Sequence, residues 1–407
     1  MYSARIDLLA RRSLLRRLRT IDCAPRAEAQ IEGRSILLFS SNNYLDLAAH
    51  PKVMEAATAA IRHYGVGAGA SRLISGTLVP HVELEEQLAA FKGTEAALVF
   101  STGYHANLGL IQTLAEDAST IYADRLSHAS LIDACRFCKA QLRIFRHRDA
   151  SQLRALLDSK HKSAIILTDG VFSMDGDLAP LPALLSVAES TCAQLVVDDA
   201  HGTGVMGPEG RGTVEHFGLK SAALIQMGTL SKALGAFGGF VTGSRDLITY
   251  LVNRARSFIY TTALPPAMAA AASAALEIII REPERRARLW FLRERLDQGL
   301  KTMGCGTLGS ESPIMPILVG DVAAALRLSD HLLAQGIYAP AIRPPTVPSL
   351  SSRVRITVTA GHTPAHIDRL LEALSMLRAS DGELWERLTN PTGIAKREAR
   401  KKRSPCL

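Results

Sequence analysis

Along most of this chain, short β-type apolar runs alternate with stretches whose apolar positions recur every three to four residues. The runs fall at residues 96–100, 120–123, 141–145, 164–168, 194–197, 222–227 and 239–242. Stretches before and after these runs, among them 51–64, 81–91, 248–257 and 266–281, have the spacing of helices. Strands alternating with helices predict a largely parallel sheet covered on both faces, an α/β fold.

The flanks read differently. Residues 1–22 place Leu8, Leu9, Leu14, Leu15 and Leu18 on one broad face with arginines opposite, which predicts an amphipathic helix. A polar connector and a strand at 35–40 follow. After Pro283, predicted helices at 285–303, 321–335 and 364–377 mix with β-like runs at 314–319 and 353–358, the pattern of a smaller α+β domain. The expected organisation is an N-terminal arm (1–45), a large domain (46–282), a small C-terminal domain (283–380) and a charged, flexible tail (381–407).

Composition narrows the function classes. The chain has 407 residues, 47% hydrophobic and 21% charged, ordinary for a globular protein and against disorder. Its net charge of +8 gathers at the ends, in Arg11, Arg12, Arg16, Arg17 and Arg19 and in Lys396, Arg397, Arg400, Lys401, Lys402 and Arg403. With a near-neutral middle, no nucleic-acid partner is expected. No apolar run reaches the roughly 18 residues of a membrane span. The Arg-rich start contains Asp7 and lacks the apolar core of a signal peptide, so no membrane partner and a cytoplasmic location are expected. The six cysteines form no disulfide framework. Cys135 and Cys138 make a CxxC without a second pair, inside a predicted helix at 130–140, and read as reduced helix cysteines; no metal site is expected.

In parallel sheets ligands gather beyond the C-terminal strand ends. Here those ends carry Ser101-Thr-Gly-Tyr-His-Ala-Asn107, Asp169-Gly-Val-Phe-Ser173, Asp198-Asp-Ala-His201 and Thr229-Leu-Ser-Lys232. Lys232 lies between an apolar run and the glycines at 235, 238 and 239; shielded from water, its amine could attack a carbonyl to form a Schiff base. Taken alone, it reads far more readily as a solvated lysine in a glycine-rich turn, and the case for chemistry has to come from residues elsewhere in the chain. Asp198 could keep a heterocyclic nitrogen protonated, as pyridoxal phosphate (PLP) requires. Gly202, Gly204 and Gly207 also fit GxGxxG after a strand, but Pro208-Glu-Gly-Arg-Gly212 does not open a helix to hold a pyrophosphate. The glycine-rich loop at 65–72 follows a helix rather than a strand, so it too lacks the dinucleotide context.

Six motifs in order carry a resemblance: Asn42-Asn-Tyr-Leu, Ser71-Arg-Leu-Ile-Ser-Gly-Thr77, Asp124-Arg-Leu-Ser-His-Ala-Ser130, Gly170-Val-Phe-Ser-Met-Asp-Gly-Asp177, Asp198-Asp-Ala-His-Gly-Thr-Gly204 and Thr229-Leu-Ser-Lys232. Together they resemble the α-oxoamine synthases, PLP-dependent enzymes of the aspartate aminotransferase fold (fold type I). Ala341-Ile-Arg-Pro-Pro-Thr-Val-Pro348 is similar to the biotin-pathway branch, which joins L-alanine to a pimeloyl thioester carried by CoA or an acyl-carrier protein. The resemblance implies a homodimer with shared active sites. It makes Lys232 the Schiff-base lysine and later the acid and base at the amino acid's α-carbon. Asp198 would pair with the pyridinium nitrogen, His201 with the phenolic oxygen, and His128 would stack on the ring with Ser173 helping to position it. Gly103, Tyr104 and Thr229 would hold the phosphate, with Thr262 reaching it from a neighbouring subunit. Arg343 would bind the amino acid's carboxylate, and Arg16, Asn42 and Thr346 would contact substrate.

The family usually has glycine where Asp46 and Ala70 stand, and often glutamate where Asp169 stands, so acyl preference is where a difference is expected. Two alternatives remain open at this stage. One is a relative with other substrates, such as a glycine C-acetyltransferase, an aminolevulinate synthase or a secondary-metabolite acyltransferase; the other is a non-catalytic homologue that binds partners.

Overall fold

A computed structural model of the chain describes residues 2–118, 120–157 and 163–390. Two compact units emerge, one from Leu45–Ser173 with Leu178–Arg286, the other from the chain up to Tyr44, Met174–Asp177 and the chain from Ala287. The division falls inside the helix Glu284–Thr302 rather than at Pro283, and the predicted arm groups with the C-terminal segment.

All seven predicted runs of the first unit are strands of one sheet: β1 (Ala96–Phe100), β2 (Thr120–Asp124), β3 (Gln141–Phe145), β4 (Ala164–Asp169), β5 (Gln194–Asp198), β6 (Leu224–Thr229) and β7 (Gly239–Gly243). Their order is β1-β7-β6-β5-β4-β2-β3. Only β7 runs antiparallel to its neighbours. Period-two geometry sends successive residues to opposite cores. Ile165 and Val196 pack with Leu110, Ile121 and Ile225 on one face, while Ile166 and Val197 pack with Tyr122, Phe145 and Leu195 on the other. Strands buried on both faces read as continuous apolar runs, which is why they were legible.

The helices Pro51–Tyr64 and Pro266–Arg281 match their predicted bounds and pack against each other. The stretch predicted at 248–257 is instead two helices, Arg245–Arg254 and Arg256–Ile259. The helix predicted at 130–140 is Ala129–Arg136 and leaves Cys138 in the turn beyond it, where its Sγ lies 3.1 Å from the Ala134 carbonyl. Asp46 has φ +56°, the left-handed region that glycine enters without a Cβ clash and that short polar side chains tolerate best among the others.

In the second unit the predicted N-terminal helix is only Tyr2–Arg11, with no buried residue, and the chain leaves helical geometry at Ser13 (φ +55°). Without a core under it, the apolar face of residues 14–22 has nothing to keep it helical. The polar connector holds an unpredicted strand, Glu28–Ile31, paired antiparallel with Arg34–Leu38. Glu32 (φ +53°) and Gly33 (φ +75°) form its two-residue turn, whose twist suits a hairpin. Ile314–Gly320 and Ala341–Ile342 pair antiparallel with Ser352–Thr357. Part of the expected tail is ordered: the helix Gly382–Thr389 buries Leu384 and Leu388, and Asp381 caps it by accepting from the Leu384 amide at 3.0 Å. The rest of that tail, 391–407, lies outside the described residues. Among the described residues no helix is long and apolar enough to cross a membrane.

Candidate active site

The C-terminal ends of β4, β5 and β6 and the start of the helix Gly103–Leu114 surround a cavity of about 250 Å³. Asp198 closes β5 with a buried carboxylate. Its Oδ2 accepts from Asn107 Nδ2 at 2.7 Å and its Oδ1 from the Ala200 amide at 3.1 Å. Asn107 sits one turn after Gly103, so both face the cavity. Asn107 Nδ2 also donates to Ser130 Oγ at 2.8 Å, whereas its buried Oδ1 finds no partner among the described residues.

At the other end, Thr102 caps the helix by accepting from the His105 amide at 3.0 Å. The first-turn amides of Gly103 and Tyr104 have no intrahelical acceptor and form an anion-binding terminus. A Cβ on Gly103 would stand 3.1 Å from Met227 Cε, and one on Gly239 only 2.6 Å from the Gly103 backbone, so two glycines seat the helix start against β6 and β7. Thr229 Oγ1 lies beside it, donating to the Gly238 carbonyl at 2.9 Å and standing 2.8 Å from Ser231 Oγ.

Lys232 follows β6 and is half-buried rather than sealed from water. The turn that carries it is fixed by Gly235, where φ is +65° and a Cβ would meet the Ala48 amide nitrogen at 2.3 Å. His128 faces the same cavity. Its amide donates to Asp169 Oδ1 at 2.9 Å, and its Nδ1 accepts from the Ser130 amide at 3.3 Å. Burial pushes the His128 pKa below its ordinary value, opposed by the Asp198 charge and reinforced by Lys232, so the ring is neutral at pH 7. Asp169 is held well above the usual carboxylate range, first by burial and then by Asp198. The Tyr104 hydroxyl donates to Asp133 Oδ2 at 2.9 Å, and that bond raises its pKa.

Of the residues singled out from sequence, Gly103, Tyr104, His128, Asp198, His201, Thr229 and Lys232 line this one cavity. Ser173 and Thr262 are not among its lining residues; the Thr262 carbonyl accepts from Ser101 Oγ at 3.2 Å. Arg16, Asn42, Arg343 and Thr346 belong to the second unit. There Arg16 and Arg343 line a cavity of about 660 Å³, and Arg16 Nη2 donates to Thr346 Oγ1 at 3.0 Å. Arg343 donates to the carbonyls of Ser13 and, at 2.8 Å, Leu15, so in this arrangement its fork holds the arm. Asn42 Oδ1 accepts from Arg355 Nη2 at 3.2 Å. Sequence reasoning assigned no role to Asn107 or Arg355. The four-residue spacing from Gly103 was the available signal for Asn107, and the alternation along Ser352–Thr357 gave none that separated Arg355 from Arg353.

The Cys135 thiol is pushed up to about 12 by burial, and Cys138 is raised for the same reason, which keeps both protonated at neutral pH.

Comparison with known proteins gives a consistent result. Residues 34–374 match the aminotransferase class I and II family. The chain is 50% identical over 364 residues to an 8-amino-7-oxononanoate synthase of Nitrosococcus oceani, covering 89% of this chain and 97% of that protein. Its fold is similar to serine palmitoyltransferase from S. paucimobilis with PLP and myriocin bound, with a TM-score of 0.87, 34% identity, and coverage of 93% of this chain and 96% of that one. It is also similar to an 8-amino-7-oxononanoate synthase from Francisella tularensis, with a TM-score of 0.75, 30% identity, and coverage of 85% and 98%.

Proposed function

This chain belongs to the aminotransferase class I and II family, within its α-oxoamine synthase branch, and from that premise we propose that it is a PLP-dependent acyltransferase of biotin biosynthesis. The reaction is the decarboxylative condensation of L-alanine with pimeloyl-CoA or pimeloyl-carrier protein, giving 8-amino-7-oxononanoate, CO2 and the free thiol. The observation that carries this reading is one cavity uniting Lys232, Asp198, His128 and His201 in a chain 50% identical to an 8-amino-7-oxononanoate synthase.

The residues fit PLP by their chemistry. A helix start flanked by hydroxyls suits a phosphate, a buried carboxylate suits a pyridinium, and a half-buried amine suits an aldehyde. Bound there, PLP supplies the electron sink that lets charge develop at the amino acid's α-carbon. Gly103, Tyr104 and Thr229 would hold its phosphate, and Asp198 would accept from its ring nitrogen while Asn107 fixes the carboxylate's direction. His201 would donate to its phenolic oxygen, with Ser173 supporting that end of the ring. The neutral His128 ring would lie against it without adding a competing positive charge. Lys232 would be the amine that holds its aldehyde end and the group that takes and returns the proton at the amino acid's α-carbon.

Arg343 binds the amino acid's carboxylate, which requires its donors to exchange the Ser13 and Leu15 carbonyls for substrate. Arg16, Asn42 and Thr346 contact the acyl substrate. The protein works as a homodimer in the cytoplasm, with Thr262 reaching the phosphate of the neighbouring site.

A second reading has one observation in its favour: the serine palmitoyltransferase structure superposes on more of the chain than the Francisella enzyme does. Sequence identity favours the first reading, 50% against 34%. Adding PLP to the purified protein and titrating the visible absorption band with L-alanine, glycine and L-serine separates them. L-alanine is expected to saturate the spectral change at the lowest concentration; a response to L-serine alone selects the second reading, and the absence of any band after PLP addition argues for a non-catalytic homologue.

A further inference from the structure

Behind the cavity, on the opposite face of the strand end from Asp198, lies a buried ion pair that none of the roles above uses. Lys92 Nζ, near the end of the helix Val79–Lys92, is 2.9 Å from Asp199 Oδ2, and both side chains are 0% exposed. The ammonium's three donors are all engaged, since it also donates to Thr203 Oγ1 at 3.2 Å and to the Arg211 carbonyl at 2.5 Å. Asp199 is saturated as well. Its Oδ1 accepts from Thr213 Oγ1 at 2.7 Å and from the Thr213 amide at 3.1 Å.

The pair therefore clamps both ends of the segment 198–213. That segment begins with Asp198, carries His201, and otherwise consists of turns before a four-residue helix, Thr213–His216. It has no ladder of its own to fix it. Three glycines make room for the clamp: a Cβ on Gly170, Gly202 or Gly212 would stand 2.9, 2.1 or 1.6 Å from an Asp199 carboxylate oxygen. A pair enclosed this tightly cannot exchange its partners for water, and removing the cation leaves a buried carboxylate one residue from Asp198.

We infer that Lys92 and Asp199 are positioning residues for the cofactor: they fix the Asp198 carboxylate and the His201 imidazole in place and confine Asp199's charge to the far side of the strand end. Asp169 on β4 lines the same cavity as Asp198 and is its register partner on the neighbouring strand. An Asp199 carboxylate stripped of its cation would add repulsion beside the strand end, where the cofactor's ring nitrogen needs one fixed acceptor. The inference rests on the PLP reading given above.

The test uses the full-length protein, with PLP as the probe, and the variants Lys92→Met and Asp199→Asn. Circular dichroism at low temperature first establishes that each is folded; PLP dissociation constants and the pH midpoint of the bound cofactor's visible band are then measured. Lys92→Met is expected to weaken PLP binding by about tenfold or more and to shift the midpoint, the loss of one charge-assisted contact being felt at Asp198. Asp199→Asn keeps the shape and removes the charge, so it is expected to shift the same two readouts in a smaller measure. If Lys92→Met does not fold, Asp199→Asn carries the test alone. Folded variants that melt at lower temperature yet match wild type in PLP affinity and band midpoint would overturn the inference, since a purely structural pair moves only the melting. Failure of the wild-type protein to bind PLP at all would instead overturn the reading on which it rests.

Discussion

Asn107 Nδ2 stands 2.7 Å from Asp198 Oδ2, joining a helix and a strand end that are 91 residues apart in sequence. A neutral amide supplies the bond, so it orients the carboxylate without cancelling the charge that a ring nitrogen needs. Replacing Asn107 with Leu leaves Asp198 without that donor and is expected to weaken PLP binding about tenfold, the worth of one hydrogen bond to a charged group. Absorbance or fluorescence titration with PLP checks it; unchanged affinity would count against the assignment of Asp198.

The turn that presents Lys232 has no tolerance at Gly235. An alanine there must adopt φ +65° and drive its Cβ into the Ala48 backbone, which cannot yield as a flexible side chain would. Gly235→Ala is expected to cost roughly 2–4 kcal/mol, combining left-handed strain with overpacking. Denaturant unfolding measures this loss.

Acid stability should report on His362, whose imidazole is fully buried against Phe39 with ring centroids 4.2 Å apart and a pKa pushed down to about 4 by burial. The unfolded chain binds this proton below about pH 6.5, whereas the folded chain resists it until about pH 4. The unfolded state therefore holds more protons across that window, so stability falls as pH drops from 6.5 to 4, by roughly 3 kcal/mol from this group. His362→Gln is expected to flatten that part of the stability–pH curve from urea unfolding. An equal slope in wild type and variant would refute the assignment.

Thiol reactivity should separate the cysteines by burial. Cys23 and Cys192 are exposed, whereas Cys135 and Cys305 are buried with thiols pushed up to about 12 and about 11. At pH 8 a disulfide reagent is expected to label the exposed pair within minutes and the buried pair only on unfolding, because the thiolate is the reacting species. Mass spectrometry of labelled peptides gives the order directly.

Much of the fold could be read from the chain because its central strands are buried on both faces and bracketed by turn residues. Boundaries slipped at Asp124, Asp169 and Asp198, which are polar yet still belong to the ladder. The hairpin at Glu28–Ile31 was missed because its strand is too short and too polar to stand out, its only cue being the Glu32-Gly33 turn. The residues that converge on the cavity were visible as motifs at successive strand ends. The groups that hold them were not: Asn107 against Asp198, and Lys92 against Asp199 across 107 residues, are pairings of common residue types that only the folded chain brings together. For Arg343, the bonds to the Ser13 and Leu15 carbonyls likewise depend on where the arm lies, which no local pattern encodes.

The measurement that bears most directly on the proposed reaction is product analysis by mass spectrometry. PLP-loaded protein would be supplied with pimeloyl-CoA, or pimeloyl-carrier protein, and an equimolar mixture of L-alanine, glycine and L-serine. The expected result is 8-amino-7-oxononanoate as the dominant product, one CO2 released per thiol, and loss of turnover in Lys232→Ala. A product built from glycine or L-serine in preference to L-alanine, or undiminished turnover without Lys232, would contradict it.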